Sequence, residues 1–177
     1  MNGLREHFVE TLADAINQSA RTYETRKFVY CLAINYGSNP TGNCIPVIGL
    51  GEASHPLEVN LLSDIPSERD IDLWNPAEFS SFGKSVLQPR SELLCDMEMQ
   101  LRLLAVEGED VDLRNICNHV ALRLNRANWH PLPITNNFLV YAVDDDLADL
   151  ERNIVFLKSR LAVPGSSAES GDSTLAF

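Results

Sequence analysis

The chain has 177 residues, with 14 lysines and arginines against 25 aspartates and glutamates, so its formal net charge is -11. This excess of acid argues against a general nucleic-acid or anionic-membrane binder, because phosphate-rich partners require a basic surface. No apolar run approaches the ~18 residues of a membrane span, so we expect no membrane partner. The length suits one domain, which we place at residues 1–163, before an acidic, Gly- and Ser-rich tail over 164–177 that we expect to be disordered.

The N-terminal segment predicts an amphipathic helix over residues 3–19. Leu4, Phe8, Leu12 and Ile16 recur every four residues and form one apolar stripe. The acidic residues within this pattern do not fit a signal peptide, so we expect a cytoplasmic protein.

Residues 28–36 predict the central strand of a sheet. Large side chains fall on one side of a two-residue repeat and small ones on the other, and neither side carries a charge. We therefore expect both faces to be covered, with the larger face against helices. After a turn at 37–43, residues 44–50 return as a second strand and complete a hairpin. Pro46 cannot donate a hydrogen bond, which indicates an edge or a bulge there.

Residues 51–72 are the least regular part of the chain, with room for one short strand around 57–62. The pattern becomes definite again at Asn75, which is a good helix N-cap. Pro76 suits the first helical position, and Glu78 stands three residues after the cap. These residues predict a short helix that begins at 76.

Two tryptophans allow two interpretations. Trp74 precedes the predicted cap and could pack on Phe79 as a hydrophobic staple, and Trp129 lies in a proline-rich loop. Core or staple packing is the commoner outcome for such residues. The alternative is a partly exposed anchor for a protein partner, because tryptophan is enriched among interface hot spots.

The second half of the chain predicts three helices and one strand. The helices cover 92–106, 111–127 and 147–161, and Asp146 is positioned to cap the last of them. The strand covers 138–143 and is apolar on both faces, so we expect it to be central as well.

Three consecutive aspartates, Asp144, Asp145 and Asp146, follow this last strand. Clustered carboxylates at a strand end can hold magnesium or calcium. We favour the simpler interpretation, a helix cap flanked by two solvated carboxylates, because no second acidic motif follows a matching strand. The four cysteines and four histidines lack metal-ligand spacing, and the cysteines are expected to be buried reduced thiols. No phosphate-binding loop, dinucleotide-binding glycine pattern or nucleophile elbow occurs, so we expect no cofactor, no metal and no enzyme.

The order of these features resembles a bacterial domain-of-unknown-function family. The segment Trp74-Asn75-Pro76-Ala77-Glu78-Phe79 is similar to that family's Trp-x-Pro-Ala-Glu-aromatic motif. The family also has a late hydrophobic strand that ends in an Asp-rich turn, and the resemblance covers about residues 4–160. Some members of such families resemble immunity proteins encoded beside secreted bacterial toxins. The resemblance implies no catalytic residues.

We expect an α+β fold, with a small, mostly antiparallel sheet of three to five strands packed against about four to five helices. The predicted function is a non-enzymatic protein-binding module, most concretely an immunity-type inhibitor that neutralises a basic toxin domain. A metal-dependent enzyme using Asp144–Asp146 and a self-assembling adaptor are the alternatives. The predicted partner-binding residues are Asp70, Asp72, Trp74, Glu78, Asp144, Asp145 and Asp146.

Overall fold

The computed structural model describes residues 2–37, 41–55 and 71–161. Within these ranges, four α-helices and three strands follow one another as α1 Asn2–Arg21, β1 Phe28–Tyr36, β2 Val47–Ala53, α2 Glu92–Val106, α3 Leu113–Leu124, β3 Ile134–Asp144 and α4 Leu150–Leu161. Two 3-10 turns, Ile71–Leu73 and Pro76–Glu78, precede α2. The α+β class is confirmed. The strand predicted around 57–62 and the tail over 164–177 lie outside the described residues.

The sheet has the strand order β2-β1-β3, so β1 is central as predicted. β1 pairs with β2 antiparallel, which confirms the hairpin, and with β3 parallel, which makes the sheet mixed. Both pairings share an irregularity between Val29 and Cys31. None of the four helices in the described ranges is long and apolar enough to cross a bilayer.

The two faces of the sheet are covered differently, as the alternation of large and small residues in β1 predicts, except that Tyr30 lies on the smaller face because of the irregularity between Val29 and Cys31. On the larger face, Tyr36 contacts Asn153 of α4, and α3 packs on β1 and β3. On the smaller face, Ala33 pairs with Gly49, and aromatic side chains fill the space above them. A Cβ added to Gly49 would lie 3.1 Å from the Phe82 ring. Small residues in β1 and β2 thus admit the segment that follows the hairpin.

The outer edge of β2 is closed by side chains. Gln88 Nε2 donates to the Ile48 carbonyl at 3.2 Å, and Ile48 N donates to Gln88 Oε1 at 3.1 Å. Ser81 Oγ accepts from Leu50 N at 2.7 Å and donates to Leu50 O at 2.9 Å. Pro46, just before β2, has no N–H to satisfy. These contacts fit the need to protect the free edge of a sheet, and Pro46 lies next to an edge strand, as predicted.

The strand predicted at 138–143 extends over β3 but is an edge strand, so its predicted central position is wrong. At Val140 and Ala142, side chains of Asn125, just after α3, and of Asn153 in α4 take the place of a fourth strand. Asn125 bonds both to Val140 N and to Val140 O, and Asn153 Nδ2 donates to Ala142 O at 2.9 Å. An edge strand covered in this way can be as apolar as a central one.

Helix starts follow their caps, with one correction. Ser91 caps α2 by accepting from Leu94 N, and α2 has the predicted bounds. The last helix begins at Leu150 and not at 147, so Asp146 does not cap it. The reason is a turn in which Leu147, at φ 59, donates from N to Asp144 O at 3.2 Å. A residue in this left-handed region cannot belong to a right-handed helix.

Candidate functional site

The carboxyl ends of β1 and β3 meet at one edge of the sheet because the two strands are parallel, and Tyr36 pairs there with Asp144. In open sheets with helices, ligands often bind in the crevice beyond such strand ends. A crevice of about 290 Å³ lies here, and its lining includes Tyr36, Asp110, Asp112, Arg114, Asp144 and Asp149.

Asp144 and Asp149 hold each other in place across the turn before α4. Asp144 N donates to Asp149 Oδ1 at 3.3 Å, and Asp149 N donates to Asp144 Oδ1 at 3.3 Å. Partial burial raises the pKa of the Asp144 carboxyl, and the nearby negative charge of Asp149 raises it further, against the lowering effect of the backbone N–H bonds. The two carboxyl groups are therefore held close together at the carboxyl end of β3.

A polar chain leads from the crevice into the core. The Tyr36 hydroxyl donates to Asp149 Oδ2, and Asn153 Nδ2 lies 3.2 Å from both the Tyr36 oxygen and Asp149 Oδ1. Asn153 is fully buried and accepts from Asn118 Nδ2 at 2.7 Å. Burial raises the pKa of Tyr36, and its bond to Asp149 adds to that effect. The Tyr36 hydroxyl therefore stays protonated and acts as a donor.

The other wall of the crevice comes from the connection between α2 and α3. Asp112 caps α3 by accepting from Asn115 N at 2.9 Å, which occupies one of its carboxylate oxygens. Arg114 lies 4.0 Å from Asp112, and both side chains are partly exposed, so this ion pair contributes little. Asp110 is exposed, and its carbonyl oxygen accepts from the Arg5 guanidinium. The crevice thus combines four carboxylates with one guanidinium.

The structure divides the predicted acidic surface. Asp144 lines the crevice, with Asp145 and Asp146 exposed beside it. Glu78 is exposed in a 3-10 turn that packs against β2, and β2 is the edge strand on the other side of β1 from β3. Asp72 is exposed in the preceding 3-10 turn, and Asp70 lies outside the described residues.

Trp74 is not available to a partner, so the anchor interpretation is wrong for this residue. It is 1% exposed, and its ring packs on Tyr141 with the centroids 5.4 Å apart. Its carbonyl oxygen accepts from the Tyr141 hydroxyl at 2.6 Å. Phe79 instead packs on Tyr30, while Asn75 caps the short turn as predicted. Trp129 is also buried, against Phe138.

The cysteines offer little chemistry. None of these four cysteines, all within the described residues, forms a disulfide. Cys31, Cys44 and Cys117 are buried as expected, whereas Cys95 is exposed. Burial raises the pKa of Cys31 and Cys117, and it raises the pKa of Cys44 to about 11. These buried thiols are therefore protonated at neutral pH and poor nucleophiles.

Of the residues named in the crevice, sequence reasoning found only Asp144, and it missed the other five as parts of one site: Tyr36, Asp110, Asp112, Arg114 and Asp149. The feature that could have revealed the site is the long connection between β1 and β3. Parallel neighbours require such a crossover, and parallel pairing brings the carboxyl ends of the two strands together. Among the described residues, no three His, Cys, Asp or Glu side chains are placed to share a metal ion.

Comparison of the chain with protein-family models, with curated proteins and with solved structures gave no match.

Proposed function

We propose that this protein is a non-enzymatic binding module whose acidic end contacts a basic protein partner. The acidic end comprises Asp110, Asp112, Asp144, Asp145, Asp146 and Asp149. One observation carries the proposal: two connections distant in sequence place these carboxylates around and beside a single crevice, and Arg114 is the only cation among the described residues that line it. A clustered field of one sign attracts a partner of the opposite sign and speeds its association.

In its most concrete form, the module is a cytoplasmic immunity-type inhibitor that neutralises a bacterial toxin domain. The net charge of -11 supports a basic partner. The Trp74-to-Phe79 motif supports the immunity class through its resemblance to families that include such proteins. The inhibitor would act by covering basic residues of the toxin, which requires no catalytic group.

The test compares two double variants of equal charge. Asp145→Asn with Asp146→Asn alters the acidic end at exposed positions, and Asp72→Asn with Glu78→Gln removes the same charge elsewhere. We expect a stoichiometric partner from the source cell to bind wild type and the second variant, and to bind the first at least about tenfold more weakly. Association with wild type should slow as salt rises. Equal loss in both variants, or absence of any partner, would contradict the proposal.

Calorimetric titration with magnesium, calcium and manganese separates this function from that of a metal-dependent enzyme. Binding heat that disappears in Asp145→Asn would favour the enzyme. We expect no specific heat, since the carboxylates of Asp112 and Asp149 already accept hydrogen bonds from their own chain.

A further inference from the structure

A groove separates α1 and α3 on the side of the molecule formed by these two helices. The helices run parallel, since Asn17 Nδ2 donates to Asn128 O at 3.2 Å and Arg21 Nε to His130 O at 2.6 Å, both just beyond the end of α3. The groove has a volume of about 560 Å³. Its apolar lining includes Val9, Ala13, Leu122 and Ala127.

The two walls of this groove carry opposite charge. The α1 wall has a row of three acids at four-residue spacing, and the opposite wall, formed by α3 and the residues just after it, has a histidine and two arginines. These residues are Glu6, Glu10, Asp14, His119, Arg123 and Arg126. Glu10 and Arg123 pair at 3.2 Å, with each side chain 49% exposed. An exposed pair of this kind contributes little and is easily exchanged for other partners. The groove therefore offers an apolar floor between an acidic and a basic rim.

The outer face of α2 has the complementary pattern. Met99, Leu103 and Val106 are 63%, 56% and 71% exposed and lie on one side of the helix by their four- and three-residue spacing. The opposite side of α2 is buried. At 100° per residue, Asp96 lies along one flank of this apolar ridge and Arg102 along the other. The ridge is thus a convex apolar stripe between one acidic and one basic flank.

We propose that the α2 ridge of one copy of this chain docks into the α1–α3 groove of a second copy. Asp96 then faces the basic rim and Arg102 the acidic rim, and this charge match selects one of the two directions in which a helix can lie in a groove. Because ridge and groove are different surfaces, the contact is heterologous and joins copies head to tail. A single helix in a groove is a small interface, so the association is weak and concentration-dependent. These surfaces are separate from the acidic end, and the inference does not rest on the proposed function.

Sedimentation equilibrium of the full chain, from micromolar to millimolar concentration, tests this contact. We expect the average mass of wild type to rise with concentration. Leu103→Glu should block the ridge, and Arg123→Glu with Arg126→Glu should block the groove, each weakening self-association at least about tenfold. Val155→Glu is the matched control, because Val155 on α4 is 52% exposed and outside both surfaces.

Mixing the two blocked variants gives the sharpest result. Each retains one intact surface, so we expect a one-to-one dimer in the mixture and no larger species. Circular dichroism confirms that each variant is folded. A wild type that stays monomeric, a Leu103→Glu variant that assembles like wild type, or a mixture that does not dimerise would each overturn the proposal. Asp145→Asn with Asp146→Asn should assemble normally, which keeps this test independent of the acidic end.

Discussion

The side-chain amide of Asn125 lies against the peptide group of Val140 as a neighbouring strand would. Asn125 Nδ2 donates to Val140 O at 2.7 Å, and Val140 N donates to Asn125 Oδ1 at 3.0 Å. Gln88 makes the same reciprocal pair with Ile48 at the other edge of the sheet. On each edge strand, a side-chain amide therefore occupies the outward-facing backbone groups of one residue. A further strand cannot pair at those positions.

We predict that Asn125→Ala destabilises the fold by about 1–3 kcal/mol, because the N–H and carbonyl of Val140 lose their partners in a partly buried place. Asn115→Ala, in the helix that Asn125 follows, is the control, since Asn115 is exposed. Urea unfolding measures both changes. Equal stability of the two variants would show that the Asn125 amide contributes nothing.

We predict that Gly51→Ala costs about 1–3 kcal/mol through overpacking. An added Cβ would lie 2.5 Å from Cys31 Sγ and 2.6 Å from Cζ of Tyr30, so β1 or the Tyr30 ring must move. Gly3→Ala is the control, because nothing lies within 4 Å of that position. Alanine in α1 should be neutral or stabilise by up to about 1 kcal/mol. Thermal or urea unfolding measures the stability of both variants. A Gly51→Ala variant as stable as wild type and Gly3→Ala would contradict this prediction.

We predict that Asn153→Ala destabilises the protein more than Asn118→Ala, although both remove the same side chain. Loss of Asn153 leaves the Ala142 carbonyl and the Asn118 amide without that partner. It also removes the contacts of Asn153 with Tyr36 and Asp149. Loss of Asn118 removes one bond and an oxygen that has no partner within the described residues. Each buried polar group left unpaired costs about 1–3 kcal/mol. Urea midpoints in the opposite order would contradict the hydrogen-bond assignment.

We predict that the stability difference between Asp144→Asn and wild type depends on pH. An acid whose pKa is raised by folding, as that of Asp144 is, binds its proton more tightly in the folded state. Its contribution to folding stability is therefore complete below the unfolded pKa and is lost as the pH rises through the folded pKa. The Asn variant should therefore gain relative to wild type between acidic and neutral pH. Urea unfolding across that range measures the gain, and Asp145→Asn controls for the loss of one negative charge. A difference that stays constant with pH would exclude the raised pKa.

Local patterns predicted most of the elements correctly. β1 has its predicted bounds, because a strand with one large and one small apolar face is stable only where both faces are covered. α2 does as well, because Ser91 defines its start. The sequence predicts the start of the last helix three residues too early, because leucine usually favours helices and nothing in the sequence marks the positive φ of Leu147. β2 begins three residues later than predicted, since Cys44 and Ile45 donate instead to the Glu98 carboxylate.

The candidate site was predictable only in part, because it depends on which strands pair. Asp144–Asp146 were found from their sequence cluster. Predicting that Asp110 and Asp112 belong to the same site requires knowing that β1 and β3 pair in parallel. The alternation of residues within a strand does not indicate the direction in which that strand pairs. Trp74 matched a helix-start motif, yet its burial depends on Tyr141, which lies 67 residues along the chain.

The middle position of β1 also has a consequence for synthesis of the chain. Asn35 donates to the carbonyl of Asp144, which follows 109 residues later. A ribosome that has released the β1–β2 hairpin must translate α2 and α3, among the described elements, before the second neighbour of β1 emerges. Until then one side of β1 is open, and pairing over so long a loop is slow. A trigger-factor-like chaperone that shields nascent hydrophobic strands should therefore raise the yield of native protein more than it would for a fold built from adjacent segments.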